Sequence, residues 1–254
     1  MLIDTHCHIY LPDFDEDRQD MILRAEKERV ERFLLPAIDS GTHKQMLSVE
    51  NQYSKKCRSM MGLHPCSVKE NYVDEIRIVE NYLAESGFVA IGEIGLDFYW
   101  DTSFTAFQYK AFRHQIDLAL SNDLPIVIHS RNSIDECVQV VAEKQKGNLK
   151  GVFHCFSGSR EQAASITDLG FYLGIGGVLT FKNSGLAEVA REVDMGKILL
   201  ETDSPYLAPV PFRGKRNESS YLKYVVRKLS EVKEISEEDV EEITTTNAKE
   251  LFRI

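Results

Sequence analysis

Short apolar runs recur along the chain, separated by longer stretches in which apolar residues return every three to five positions. The runs fall at 2–5, 32–37, 59–63, 88–92, 125–129, 150–154, 171–175 and 197–201, and they are rich in Val, Ile, Leu and Phe. Strands covered on both faces have that character. Segments 15–27, 73–85, 105–122 and 133–144 read as helices; Phe104, Phe107, Ala111, Ile116 and Leu120 mark one apolar face. Alternation of this kind predicts βα units and a parallel sheet. Two further helices, 221–230 and 237–252, follow the last strand, and Ser236 ahead of Glu237, Glu238 and Asp239 is a helix start.

The expectation is an α/β protein, a single (β/α)8 TIM barrel with additional C-terminal helices, forming one domain over 1–254. A barrel of this type needs about 250 residues. No low-complexity tract or Gly/Ser linker divides the chain, and a doubly wound open sheet is the alternative built from the same alternation. No apolar run approaches the ~18 residues of a membrane span, so no membrane partner is expected. Forty acidic against 30 basic residues give a net charge of −10, which argues against a protein that coats nucleic acid by bulk electrostatics. Five cysteines without a C-x-x-C pair, and no signal peptide ahead of Asp4, predict a reduced, cytoplasmic setting.

The histidines carry the most information. Of seven, His6, His8, His64, His129 and His154 fall at or just past the ends of predicted strands, whereas His43 and His114 fall in helices. Active sites of such barrels lie at the C-terminal ends of the strands. His6 and His8, two apart, share a face of an extended segment, an arrangement suited to a metal ion. Glu93 and Asp203 occupy the same rim, with Glu201 two residues before Asp203. Asp4 reads as orienting the loop or a ligand rather than binding metal itself. Taken singly, each carboxylate would be a cap or a solvated charge. Together they supply enough nitrogen and oxygen for two divalent cations.

Six stretches then make the chain recognisable: Asp4-Thr5-His6-Cys7-His8, Ile91-Gly92-Glu93-Ile94-Gly95-Leu96-Asp97, Pro125-Ile126-Val127-Ile128-His129-Ser130-Arg131, His154-Cys155-Phe156-Ser157-Gly158, Leu200-Glu201-Thr202-Asp203-Ser204-Pro205-Tyr206-Leu207 and Arg213-Gly214-Lys215-Arg216-Asn217-Glu218. In this order they resemble the TatD family of metal-dependent hydrolases, among the amidohydrolase-like barrels. The resemblance implies a deoxyribonuclease with a two-cation centre (Mg2+, Mn2+ or Zn2+), acting as a 3′–5′ exonuclease on single-stranded DNA. It places the first ion on His6, His8 and Asp203 and the second on His129 and His154. Glu93 bridges them, and His64 and Glu201 form a second ring. Asp203 and Glu93 are the expected catalytic carboxylates, with Asp203 taking the proton of the attacking water. The chain departs from the family pattern at Cys66, where His is common after His-Pro, and at Ser219, where Pro is common. Relatives with a carboxylated lysine on the fourth strand have it where this chain has Glu93.

Phosphate would need positive charge at the rim. Arg131, Arg213, Lys215 and Arg216 are the candidates, with Lys182 nearby, and each could equally be a solvated basic residue. Phe98-Tyr99-Trp100 either stacks on nucleobases or packs as a lid over the mouth. DNA is thus the expected substrate, contacted over a short stretch near a strand end, by a monomer with no obligate protein partner. Ester, amide or aminoacyl-nucleic-acid hydrolysis on the same centre is the rival, because activated water attacks carbon and phosphorus alike. A decayed, non-enzymatic barrel would have lost ligands, and this chain keeps them.

Overall fold

The computed structural model describes residues 1–85 and 87–254. Its strands are β1 (Leu2–Asp4), β2 (Val30–Leu35), β3 (Cys57–Ser59), β4 (Ile91–Asp97), β5 (Ile126–Arg131), β6 (Gly151–Phe153), β7 (Tyr172–Ile175) and β8 (Ile198–Leu200). All neighbours are parallel, in ladders ordered β1-β2-β3 and β4-β5-β6-β7-β8. Isolated parallel bridges, Met61 to Ile91 and Cys7 to Ser204, stitch the ladders at both seams. Backbone bonds reinforce them: Gly92 N–H donates to Met61 O at 3.0 Å and Thr5 N–H to Leu200 O at 3.1 Å. The chain is therefore a TIM barrel, as the apolar pattern predicted.

Helices α1 (Arg18–Lys27), α2 (His43–Gln52), α3 (Tyr72–Glu85), α4 (Thr105–Asn122), α5 (Ile134–Lys144), α6 (Arg160–Asp168) and α7 (Leu186–Glu192) follow successive strands. After β8 come α8 (Leu222–Lys233) and α9 (Glu237–Phe252). Burial explains the division of labour. Ile3, Leu34, Met60, Ala90, Val127, Val152, Tyr172 and Leu199, one from each strand segment, form a buried layer that also takes in Ala248, Leu251 and Phe252 of α9. The last helix thus seals the foot of the barrel. Ser236 caps it, accepting from Asp239 N–H at 3.0 Å. Asn247 Nδ2 donates to Ile198 O at 2.9 Å, and the Thr245 hydroxyl to Met1 O at 2.7 Å, fixing α9 beneath β8 and β1.

The strand boundaries differ from the pattern in an instructive way. The fourth strand was expected at 88–92, ending before Glu93, but β4 runs Ile91–Asp97 with every residue buried. Carboxylates normally end a buried apolar run. Here Glu93 and Asp97 continue it because partners wait inside the mouth. Gly95 permits the pairing: a Cβ there would lie 2.1 Å from the His129 carbonyl oxygen on β5, and its φ of +141° is one that side chains rarely adopt.

Removing the foot of the core should be costly. Phe252→Ala is expected to destabilise the protein by about 3–5 kcal/mol, read from the denaturant midpoint. A loss below about 0.5 kcal/mol, as at a surface site, would show that α9 is a mere appendage.

Candidate metal centre

Five imidazoles converge on one carboxylate at the mouth. Glu93 Oε1 lies 2.7 Å from His154 Nε2, 2.8 Å from His129 Nδ1 and 3.4 Å from His64 Nε2. Its other oxygen, Oε2, lies 3.2 Å from His6 Nε2 and 3.7 Å from His8 Nε2. Asp203 Oδ1 completes that side, 3.8 Å from His6 Nε2 and 3.6 Å from His8 Nε2. The ligand-type atoms form three tight groups: His6, His8 and Asp203; His6, Glu93 and His154; His64, Glu93 and His129. The His6 and His154 rings stack at 3.8 Å. Every expected ligand is therefore in one pocket, and His64, expected in an outer ring, faces Glu93 directly.

Local partners set which nitrogen faces inward. Tyr10 donates its hydroxyl proton to Pro36 O at 2.7 Å, so at 3.0 Å it can only accept from His8 Nδ1–H, leaving Nε2 to face Glu93 and Asp203. His129 Nε2 lies 2.8 Å from Asp97 Oδ2, which turns Nδ1 toward Glu93. Glu201 stands behind His154, with Oε1 3.4 Å from Nδ1 and accepting from Cys155 N–H. Its carboxylate fills a notch that exists because residue 174 is glycine; a Cβ there would meet Oε2 at 2.3 Å. Asp97 and Tyr10 are members of the site that the sequence pattern did not mark. For Asp97 the signal was present: it lies four residues beyond Glu93 on one strand, and period two puts both on one face.

Asp203 sits in a left-handed turn, φ 55°, braced on both sides. Asp4 accepts from the backbone N–H and hydroxyl of Thr202 at 2.9 and 2.6 Å. Asn217 Nδ2 donates to the carbonyls of Thr202 and Tyr206 at 2.8 and 2.7 Å. Glu218 pairs with Arg24 at 2.6 Å. Arg216 departs from the expectation of a phosphate-binding residue. Its guanidinium takes both oxygens of Asp17, at 2.7 and 2.8 Å, and the Asp13 carbonyl, so its charge is already neutralised. The motif 213–218 is in part a latch. Arg213, Lys215 and Arg131 are exposed, with Arg213 over the Phe181 ring at 4.5 Å and Arg131 over Tyr99 at 4.8 Å. Phe98 is partly buried against the core, whereas Tyr99 and Trp100 project into solvent, so the lid reading fits only Phe98.

The electrostatics follow from burying one carboxylate among imidazoles. Burial would raise Glu93, but the charges of His154, His64 and His6 and a hydrogen bond from His129 hold it well below the usual range. Burial likewise opposes protonated His154, yet Glu93 and Glu201 push it well above an ordinary histidine. Asp97 and Glu93 raise His129 against the same penalty. His6 and His64 are lowered, chiefly by burial. Asp203 stays low: the His8 hydrogen bond and the charges of His154, His6 and His8 outweigh its burial. The donor set suits divalent cations. It is all nitrogen and oxygen, and both His6 nitrogens are buried without a hydrogen bond. Buried polar atoms rarely go unpaired.

A TIM barrel with imidazoles and carboxylates gathered at its C-terminal mouth defines a metal-dependent hydrolase of the barrel type. Comparison with known proteins narrows this. The family model described as TatD related DNase matches residues 3–253. The chain is 40% identical, over the full length of both, to the uncharacterized metal-dependent hydrolase YabD of Bacillus subtilis. It is 27% identical, again over the full length of both, to the 3′–5′ ssDNA/RNA exonuclease TatD of Pectobacterium parmentieri. The crystal structure of YJJV, a TatD homologue from Escherichia coli, superposes with a TM-score of 0.94 at 28% identity, covering 100% of this chain and 98% of that one. The chain belongs to the TatD-related DNase family.

Two outcomes follow from the geometry. Asn217→Ala should lower kcat by about 10- to 100-fold through a loosened Asp203 turn, since a misplacement near 1 Å costs about that much. Circular dichroism should remain native, and an unchanged kcat would refute the bracing role. In the chelated protein, the depressed His6 and His64 contribute stability above the ordinary histidine pKa that is lost as pH falls. The raised His154 and His129 contribute stability below it that is lost as pH rises. Tm should therefore peak near pH ~6.5 and decline on the alkaline side, and added cation should abolish that decline by displacing the protons. A Tm climbing steadily to high pH under chelation would contradict this.

Proposed function

We propose that the chain is a phosphodiesterase that uses two divalent cations to degrade single-stranded DNA from its 3′ end. The observation that carries the reading is the division of Glu93: one oxygen faces His6 and His8 beside Asp203, and the other faces His129, His154 and His64. A carboxylate shared in this way suits a pair of ions, with His6, His8 and Asp203 holding one and His129 and His154 the other. The imidazole-rich set favours Mn2+ or Zn2+ on ligand softness, whereas phosphoryl chemistry commonly uses Mg2+. When bound, such a pair lowers the pKa of water and neutralises charge on the phosphoryl group.

The residues supply the rest. Asp203, ionised at neutral pH and pinned by Asp4 and Asn217, accepts a proton from the attacking water on its carboxylate. Asp97, Tyr10 and Glu201 keep the imidazoles in one orientation, so little reorganisation accompanies the chemistry. Arg131, Arg213 and Lys215 are the exposed rim cations that can meet phosphate. In a chain of net charge −10 they favour a short contact near a strand end over a long duplex footprint. The exonuclease named in Pectobacterium parmentieri supports both the substrate and the polarity.

A time course with end-labelled single-stranded DNA tests this, run with chelator and then with each cation restored. Loss and recovery of stepwise shortening from the 3′ end is expected, and Asp203→Asn should cut turnover by at least about 100-fold while remaining folded. Intact DNA under every cation, with an ester substrate hydrolysed instead, would transfer the centre to carbonyl chemistry.

A further inference from the structure

We propose that Trp100 is the stacking platform for an unpaired nucleobase beside the phosphate that is cut. The inference rests on the nucleic-acid reading above and assigns the residue that selects a single strand. Trp100 is the chain's one tryptophan. It is 73% exposed, more open than Tyr99 at 51% or Tyr206 at 52%. A large apolar face left in water is informative when its surroundings are built to hold it there.

Here they are. Asp97 Oδ1 accepts the backbone N–H of both Tyr99 and Trp100, each at 2.9 Å. The second oxygen of the same carboxylate lies 2.8 Å from His129 Nε2. The loop that carries the indole is thus fastened to the group that orients an imidazole of the metal centre. Its far end is fastened as well, because Asp101 pairs with Lys69 at 2.7 Å and accepts from Ser103 N–H at 3.0 Å. Tyr99 packs edge-on against Trp100, with ring centroids 5.0 Å apart and planes at 86°, so the two rings brace one another. Arg131 lies over Tyr99 at 4.8 Å, placing positive charge on the ring that packs against Trp100.

An aromatic face with an arginine beside it matches a base with its phosphate. Stacking on an aromatic side chain tolerates any base, since each has a π-face. In a duplex those faces already stack on neighbours, so the gain is available to unpaired bases. The platform therefore discriminates by strand form, independently of sequence.

A single tryptophan makes the test direct. Metal-loaded protein is titrated with a phosphorothioate single-stranded DNA of about ten nucleotides, following indole emission. KM and kcat for normal DNA are measured for wild type, Trp100→Ala and Trp100→Phe. Saturable quenching by the single strand is expected, stronger than by a blunt duplex of equal length. Trp100→Ala should raise KM by about 5- to 150-fold with kcat little changed, the signature of lost uniform binding. Trp100→Phe should recover most of it. Emission unmoved at saturating DNA, equal quenching by duplex, or a wild-type KM in Trp100→Ala would overturn the platform. With DNA still degraded, those results overturn the platform alone; with no DNA degraded under any cation, the proposed function falls with it.

Discussion

One buried carboxylate governs the architecture of the mouth. Glu93 is 2% exposed and lies within 3.7 Å of nitrogens from five histidines on four different loops and strands. Such a group is costly to bury unless opposite charge surrounds it. The rest of the site follows from meeting that demand. β4 must carry an acid into the lumen, Gly95 must let β4 approach β5, and each imidazole must be turned so that a lone pair or a proton faces inward. Asp97, Tyr10 and Glu201 do the turning from behind.

Stability and chemistry are kept at opposite ends of the barrel. At the foot, an apolar layer with one residue from each strand segment meets Ala248, Leu251 and Phe252, and Asn247 and Thr245 fasten the helix with hydrogen bonds. At the mouth, polar groups gather that would each be unfavourable in an apolar interior. Packing free energy gained below offsets the crowding of like charges above, where His154 and His6 repel across a stacked pair of rings. Part of the basic segment after β8 belongs to stability as well. Arg216 and Glu218 tie that segment to α1 through Asp17 and Arg24, and Asn217 thereby gains a firm base from which to hold the Asp203 turn.

Much was legible in the chain itself. The alternation of apolar runs with helical stretches specified eight βα units, since a buried parallel strand has to be apolar on both faces. The placement of His6, His8, His64, His129 and His154 at the ends of those runs put them on one rim, because the barrel returns every strand to the same end. Charges were harder to read, since a basic residue looks alike whether it meets phosphate or a carboxylate from a distant helix. Arg216 is the case in point, its partner Asp17 lying 199 residues away.

Sequence alone therefore determined the βα alternation and the histidines and carboxylates of the rim, both of which depend on local periodicity, whereas the bridges between the two ladders settled the barrel over an open sheet. Tertiary structure decided the roles within that rim. It placed His64 against Glu93, turned His129 through Asp97, set Tyr10 behind His8, carried β4 past Glu93, and divided the basic segment into a latch and a free rim. Those outcomes depend on distances between segments far apart in the chain, and periodicity along one segment carries no record of what lies across the barrel.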